Sequence, residues 1–151
     1  MQHQTCSVIG GGLAGSEAAW QLAERGIKIR LTEMRPEKST PAHETALMGE
    51  LVCSNSLGGE MTKTPAGILK TELKTLGSLL ISCAEKSRVP AGNALAVDRT
   101  VFAELVTSAI ENHPNIEVIR EEAREIPEGP VIIATGPLTS SALAEKLKEL
   151  A

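Results

Sequence analysis

Short β-branched stretches alternate with helix-spaced apolar positions along most of the chain. Residues 4–9 (QTCSVI) read as a strand that runs into GGGLAG, and SEAAWQLAER follows with Ala18, Ala19 and Leu22 at helical spacing. Gly26 stops that helix. IKIRLTEM then opens a second alternation, with Ile27, Ile29 and Leu31 on one face. The opening of the chain therefore predicts strand, glycine turn, helix, strand: a βαβ unit.

Residues 35–65 are polar and interrupted by Pro36, Pro41 and Pro65, and they read as a long loop. Loops of that length in compact domains are usually functional or disordered. The spacing of Leu69, Leu73, Leu76, Leu80 and Cys83 predicts one helix over 66–86, and RVPAGNALAV breaks it. Asp98 is a good N-cap for the next helix, which buries Phe102, Leu105, Val106, Ala109 and Ile110 and stops at 112–114. IEVIREEAREI and VIIATG are strand candidates, and an amphipathic helix is expected over 140–151. No internal repeat is visible. Strands alternating with helices predict an α/β fold with a mostly parallel sheet and helices on both faces.

Composition narrows the function classes. At 151 residues the chain suits one domain, and 42% apolar against 23% charged residues is ordinary for a folded protein. A net charge of −4 argues against a surface that grips phosphates unaided, because nucleic-acid affinity without sequence preference comes from clustered Lys and Arg. Trp20 and Phe102 are the only aromatics, so no stacking platform for bases or a flavin ring is evident. No apolar run reaches the ~20 residues of a membrane span and no basic leader precedes one, which reads as cytoplasmic with no membrane partner. Cys6, Cys53 and Cys83 are odd in number and widely spaced, against a disulfide framework or a zinc site, so no metal is expected.

The first motif with chemistry is the glycine turn. Gly10, Gly12 and Gly15 fit G-x-G-x-x-G: one glycine for the tight turn, one for close approach of a pyrophosphate, one for helix–strand packing. With Gly11, Leu13 and Ala14 they would place that pyrophosphate on a helix N-terminus, where unpaired N–H groups and the helix dipole favour negative charge. Glu33 closes the second strand ~20 residues on, where a carboxylate can accept from a ribose diol. The segment is thus a Rossmann-like dinucleotide-binding unit, and the pattern fits NAD and the adenosine half of FAD equally.

VIIATG separates the two by likeness. A buried strand ending in Ala134, Thr135 and Gly136 is similar to the second flavin fingerprint of large FAD-dependent enzymes, in which a residue in the preceding strand, here Ala123, touches the adenine through its main chain. Taken together, VIGGGLAGSEAAWQLAERG, LTEMRP, TPAHET, ELVCSNSL, VPAGNALAVDR and EGPVIIATGPLTS resemble the folate- and FAD-dependent tRNA (uracil-5-)-methyltransferases over nearly the whole chain. That resemblance implies FAD as cofactor, methylenetetrahydrofolate as carbon donor, NAD(P)H as reductant and a T-loop uridine of tRNA as substrate. It also implies that Cys53 is a catalytic thiol.

Such a thiol suits the reaction. C5 of uracil is a poor carbon nucleophile until a thiolate adds at C6, and the C5 proton must afterwards go to a base. A cysteine can take either part, and the sequence leaves the two open. Cys6, in a strand, and Cys83, on an apolar helix face, read as core fillers. His43 in TPAHET stands between simple exposure and a substrate role, and Glu44 occupies a position where the family typically carries a second histidine. His113, at a helix end, reads as structural, and Arg99 reads equally as a surface residue or as facing the flavin. Members of the family are much longer, with a second catalytic cysteine and the rest of the flavin fold, so the chain reads as the N-terminal portion of an FAD/NAD(P)-binding domain. Most of the tRNA surface would then lie outside it, and FAD binding by the chain alone would be weak. Two rivals are a related flavoprotein that installs carboxymethylaminomethyl groups at the wobble uridine, and a non-catalytic nucleotide-binding module.

Overall fold

The structure is a computed structural model that describes residues 5–150. In chain order its elements are β1 (Thr5–Ile9), α1 (Leu13–Ala23), β2 (Lys28–Glu33), β3 (Ser56–Gly59), α2 (Pro65–Thr75), α3 (Leu79–Lys86), β4 (Arg88–Val89), β5 (Ala94–Val97), α4 (Arg99–Glu111), β6 (Ile116–Arg120), β7 (Val131–Ile133) and α5 (Ser141–Lys148). Four strands form a parallel sheet in the order β6-β2-β1-β7. Val8 of β1 sits opposite Leu31 of β2 and Ile132 of β7, and Leu31 sits opposite Val118 of β6. Both Val8 and Leu31 are fully buried, so the two inner strands carry the core, as in a parallel sheet covered by helices.

Helix α1 meets the sheet with small residues. Gly15, Ser16, Ala19 and Ala23 are its buried positions, which lets the helix backbone lie close to the strands. Helix α4 packs on the same sheet and also touches α1, so the two share a face. Phe102, Val106 and Ile110 of α4 are fully buried. The Asp98 carboxylate caps α4 by accepting from the N–H groups of Thr100 and Val101, both at 3.0 Å, as the sequence predicts. Cys6 and Cys83 are buried members of the core, as expected, and burial pushes both thiols above their ordinary pKa.

Three expectations need correction. The helix over 66–86 is two helices: Gly77 adopts φ +73° and Ser78 starts a new helix, its Oγ accepting from Ile81 N–H at 3.2 Å. Glu17 on α1 fixes that start by accepting from Ser78 Oγ and from Leu80 N–H. Leu69 and Leu76, placed on the buried face by periodicity, are 54% and 62% exposed, while Leu79, Ile81, Cys83 and Ala84 are buried. The helical spacing carries across the break, so periodicity alone could not see it.

The second correction concerns residues 56–59 and 88–97, read as loop and as a break. They form an antiparallel sheet of order β3-β5-β4, and β5 buries Leu95, Ala96 and Val97. Runs of two to four residues between Gly and Pro fall below the length at which alternation is legible. The third is that β6 ends at Arg120 rather than running on through IEVIREEAREI, and the residues beyond it turn toward the ends of the parallel strands. The expected helix over 140–151 is present as α5 over Ser141–Lys148. Residues 4 and 151, included in the expected first strand and last helix, lie outside the described residues.

Candidate functional site

The parallel strands β1, β2 and β7 all point their carboxyl ends at one cavity of about 310 Å³. The chain leaves β1 for β2 on one side and meets β7 on the other, so the cavity lies at the point where strand order reverses. That is where ligands bind in open parallel sheets. Its wall includes Gly10, Gly12, Leu13 and Ala14 from the glycine turn, Glu33 from β2, Ala123 from the stretch after β6, and Ala134, Thr135 and Gly136 after β7. Of the residues the sequence singles out for cofactor binding, only Gly11 and Gly15 stand behind the wall.

The four glycines differ in why they must be glycine. Gly10 has φ +103°, and a Cβ there would come within 2.8 Å of the Ala134 carbonyl oxygen. A Cβ at Gly15 would collide with the Gly10 carbonyl oxygen, so this residue lets α1 cross β1 closely. At Gly11 a Cβ would press on the Glu33 carboxylate at 2.9 Å. Gly12 is different. Its backbone is extended, with φ −72° and ψ −168°, and no protein atom stands within 4 Å of where its Cβ would be. A side chain there would meet only the cavity. Gly12 also begins α1 with no side-chain cap and no acidic residue in the first turn, leaving the helix's first N–H groups open to an anion.

Glu33 is 5% exposed and engaged on both oxygens. Oε2 accepts from Gly11 N–H at 2.7 Å, and Oε1 accepts from the backbone N–H of Arg35 at 3.0 Å and from its Nε at 2.8 Å. Burial alone would raise its pKa, but these hydrogen bonds and the Arg35 charge outweigh burial and hold the carboxyl below its ordinary value. Arg35 is itself 2% exposed and reaches Glu50 Oε2 at 2.9 Å from Nη1. His43 also lines the cavity, with Thr40 Oγ1 2.7 Å from its Nδ1. Burial and the Arg35 charge lower its pKa against the opposing pull of Glu50 and Glu33.

Cys53 is exposed and does not line the cavity, although the residue before it, Val52, does. The thiol sits on a short bridge between buried Leu51 and Asn55, whose Nδ2 donates to Val97 O at 3.1 Å while its own carbonyl accepts from Val97 N–H at 2.9 Å. Ser54 Oγ accepts from Ser56 N–H at 3.1 Å. Arg99 Nη2 approaches the Cys53 carbonyl at 3.4 Å, the only basic group that hydrogen-bonds to this bridge among the described residues. His113 packs against the end of α1, contacting Glu24 at 3.0 Å and the Trp20 ring edge-on, in agreement with a structural reading.

Arg35 and Glu50 were not among the residues marked by the sequence. A charged residue in a proline-bounded polar loop reads as solvated, and only the folded loop shows Arg35 buried and Glu50 half-buried against it. Among the described residues no group of three His, Cys, Asp or Glu side chains could hold a metal ion, and no helix is long and apolar enough to cross a membrane.

Residues 5–150 match the model of the family described as glucose inhibited division protein A. The chain belongs to that family. Within the glucose inhibited division protein A family it is 60% identical over 150 residues to methylenetetrahydrofolate--tRNA-(uracil-5-)-methyltransferase TrmFO of Bacillus subtilis, covering 99% of this chain. Proteins of the same name from Aquifex aeolicus and Rubrobacter xylanophilus are 63% and 60% identical, each over 95% of this chain. The chain spans about a third of the length of these relatives, between 32% and 34%. Among solved structures, a GidA-related protein from Thermus thermophilus aligns with 19% identity over 89% of this chain and 53% of its own, at a TM-score of 0.48. So loose a likeness leaves the assignment resting on sequence.

Proposed function

We propose that this chain is the N-terminal portion of an FAD/NAD(P)-binding domain, with a functional loop over residues 35–65, in an enzyme that methylates C5 of a T-loop uridine in tRNA. Methylenetetrahydrofolate is the carbon donor and NAD(P)H the reductant. The observation that carries the reading is identity near 60% over at least 95% of the chain to relatives named for that activity. These relatives favour it over modification of the wobble uridine.

The residues present fit FAD. Gly12 is held as glycine by nothing in the protein, and the space its side chain would take opens on the cavity at the start of α1, as close passage of a pyrophosphate requires. Glu33 uses two acceptor sites on Oε1 and one on Oε2, which leaves Oε2 able to accept from a ribose hydroxyl. Ala134, Thr135 and Gly136 line the cavity beside the glycine turn, and Ala123 lines it too, available to meet the adenine through its main chain. FAD bound there supplies the electron-transfer chemistry by which the one-carbon unit ends as a methyl group.

Cys53 serves the uracil. When a thiolate adds at C6, a C6–S bond forms and the C5–C6 π pair becomes available at C5 for bonding to the incoming carbon. Loss of the C5 proton to a base then restores the double bond and expels the thiolate. Cys53 acts at one of these two steps, on an exposed bridge beside the cavity that a nucleic-acid base can reach. The substrate tRNA and the folate are held largely by parts of the whole protein beyond these residues.

Two measurements test the reading. The visible spectrum of the whole protein, taken after adding FAD and washing, should keep a flavin band; its absence would overturn the cofactor assignment. Replacing Cys53 by Ala in the whole protein should abolish T-loop methylation with FAD still bound. Undiminished methylation would remove Cys53 from the chemistry.

A further inference from the structure

The cavity does not end at the glycine turn. Its wall continues from Glu33 to Arg35, Glu50 and Val52, a row of charges that leads to the loop bearing Cys53. Arg35 stands at the middle of this row, almost without solvent contact, and hydrogen bonds to a carboxylate on each side: Nε to Glu33 Oε1 at 2.8 Å and Nη1 to Glu50 Oε2 at 2.9 Å. Nη1 also lies 3.3 Å from the Thr45 carbonyl. Glu50 in turn gathers the loop, accepting from Glu44 N–H at 2.8 Å, Thr45 N–H at 3.3 Å and Thr45 Oγ1 at 3.0 Å. Cys53 follows three residues later in the chain.

We infer that Arg35 is a positioning residue that couples occupancy of the cavity to the loop carrying Cys53, acting through Glu33 on one side and Glu50 on the other. The inference rests on the reading of the cavity as a dinucleotide site. A ribose hydroxyl donating to Glu33 Oε2 adds a fourth hydrogen bond to a carboxylate already held on both oxygens and so tightens the position of Oε1. The planar guanidinium transmits the constraint, because its donors lie in a rigid fork and both carboxylates can be met only in one orientation. The buried guanidinium makes the constraint stiff: Arg35 has almost no contact with water, so a carboxylate that moved away would leave a guanidinium N–H without an acceptor. A lysine would keep the charge and lose the fork.

A second link runs beside the first. Gly49 N–H donates to the Gly11 carbonyl at 2.9 Å, joining loop and glycine turn directly without Arg35. The experiment must therefore separate the two. Amide hydrogen exchange of the peptide covering residues 44–53 is compared in the whole protein with and without saturating FAD, for the native sequence and for Arg35→Lys, Glu50→Gln and Thr45→Val. Flavin absorbance records binding and a thermal melt records folding.

In the native protein FAD should slow exchange of this peptide by at least about fivefold, the lower end of ordinary coupling between sites. In Arg35→Lys the ratio should fall below about twofold, and Thr45→Val, which keeps every charge, should lower it in part. If Arg35→Lys unfolds, Glu50→Gln and Thr45→Val decide. A purely structural Arg35 would raise exchange equally in both states and leave the ratio unchanged, which would overturn the inference, as would a native protein that binds FAD with a ratio near one. Failure of the native protein to take up FAD would instead overturn the dinucleotide reading, and the inference with it.

Discussion

At the residue scale, the four glycines of the turn look alike in the sequence and have four different neighbourhoods. Gly12 is the one whose identity points outside the protein, and this separates binding from stability. Gly12→Val should leave the melting temperature within about 2 °C, since its backbone is extended and its Cβ meets no protein atom. FAD affinity should drop by about 10- to 100-fold, the effect of forcing a side chain into occupied space at roughly 1–3 kcal/mol. An equal loss of stability and affinity would show that Gly12 serves the fold. The G-x-G-x-x-G spacing made these glycines visible at once, because the pattern is short and contiguous even though their neighbours in the fold are not. Arg35 and Glu50 were invisible, because nothing local distinguishes an ion pair half-drawn into the fold from two solvated charges.

At the scale of elements, the leucines of 66–86 show what periodicity can and cannot carry. The spacing identifies helix correctly on both sides of Gly77, but it assigns one buried face where the fold has an exposed α2 and a buried α3. Leu76→Ala, at a 62% exposed position, should change unfolding free energy by less than about 0.5 kcal/mol. Leu79→Ala, at a 5% exposed position only three residues on, should cost about 2–5 kcal/mol. Urea unfolding of the two variants checks this, and similar losses would restore the continuous helix. The antiparallel sheet escaped the sequence for a related reason: β3, β4 and β5 are held by pairing with one another and by side chains such as Asn55, not by a pattern within any one of them.

At the scale of the whole molecule, the buried charges make stability depend on acid. Glu33 and Glu50 each carry a burial penalty that hydrogen bonds and Arg35 outweigh, so both have folded pKa values below their unfolded ones. Their contribution is complete above the ordinary carboxylate range and is lost as pH falls through the folded values. His43, lowered by burial and Arg35, adds in the same direction, since the unfolded chain takes up its proton first as pH drops. Unfolding free energy should therefore fall steadily from about pH 6 to pH 3, and Glu50→Gln should be less stable at neutral pH with a shallower acid slope. An unchanged slope would mean that Glu50 is as solvated in the fold as out of it. The sequence by itself determined the βαβ opening, the glycine turn with Glu33, the capped helix α4 and the membership of Cys6 and Cys83 in the core, because these depend on neighbours along the chain or on hydrophobicity alone. Only the tertiary structure decided that Ala123 and the 134–136 segment line one cavity with the glycine turn, that Cys53 lies beside that cavity rather than in its wall, and that a buried Arg35 joins two carboxylates. Those relations are between residues far apart in sequence, and they exist only once the parallel strands bring their carboxyl ends to one place.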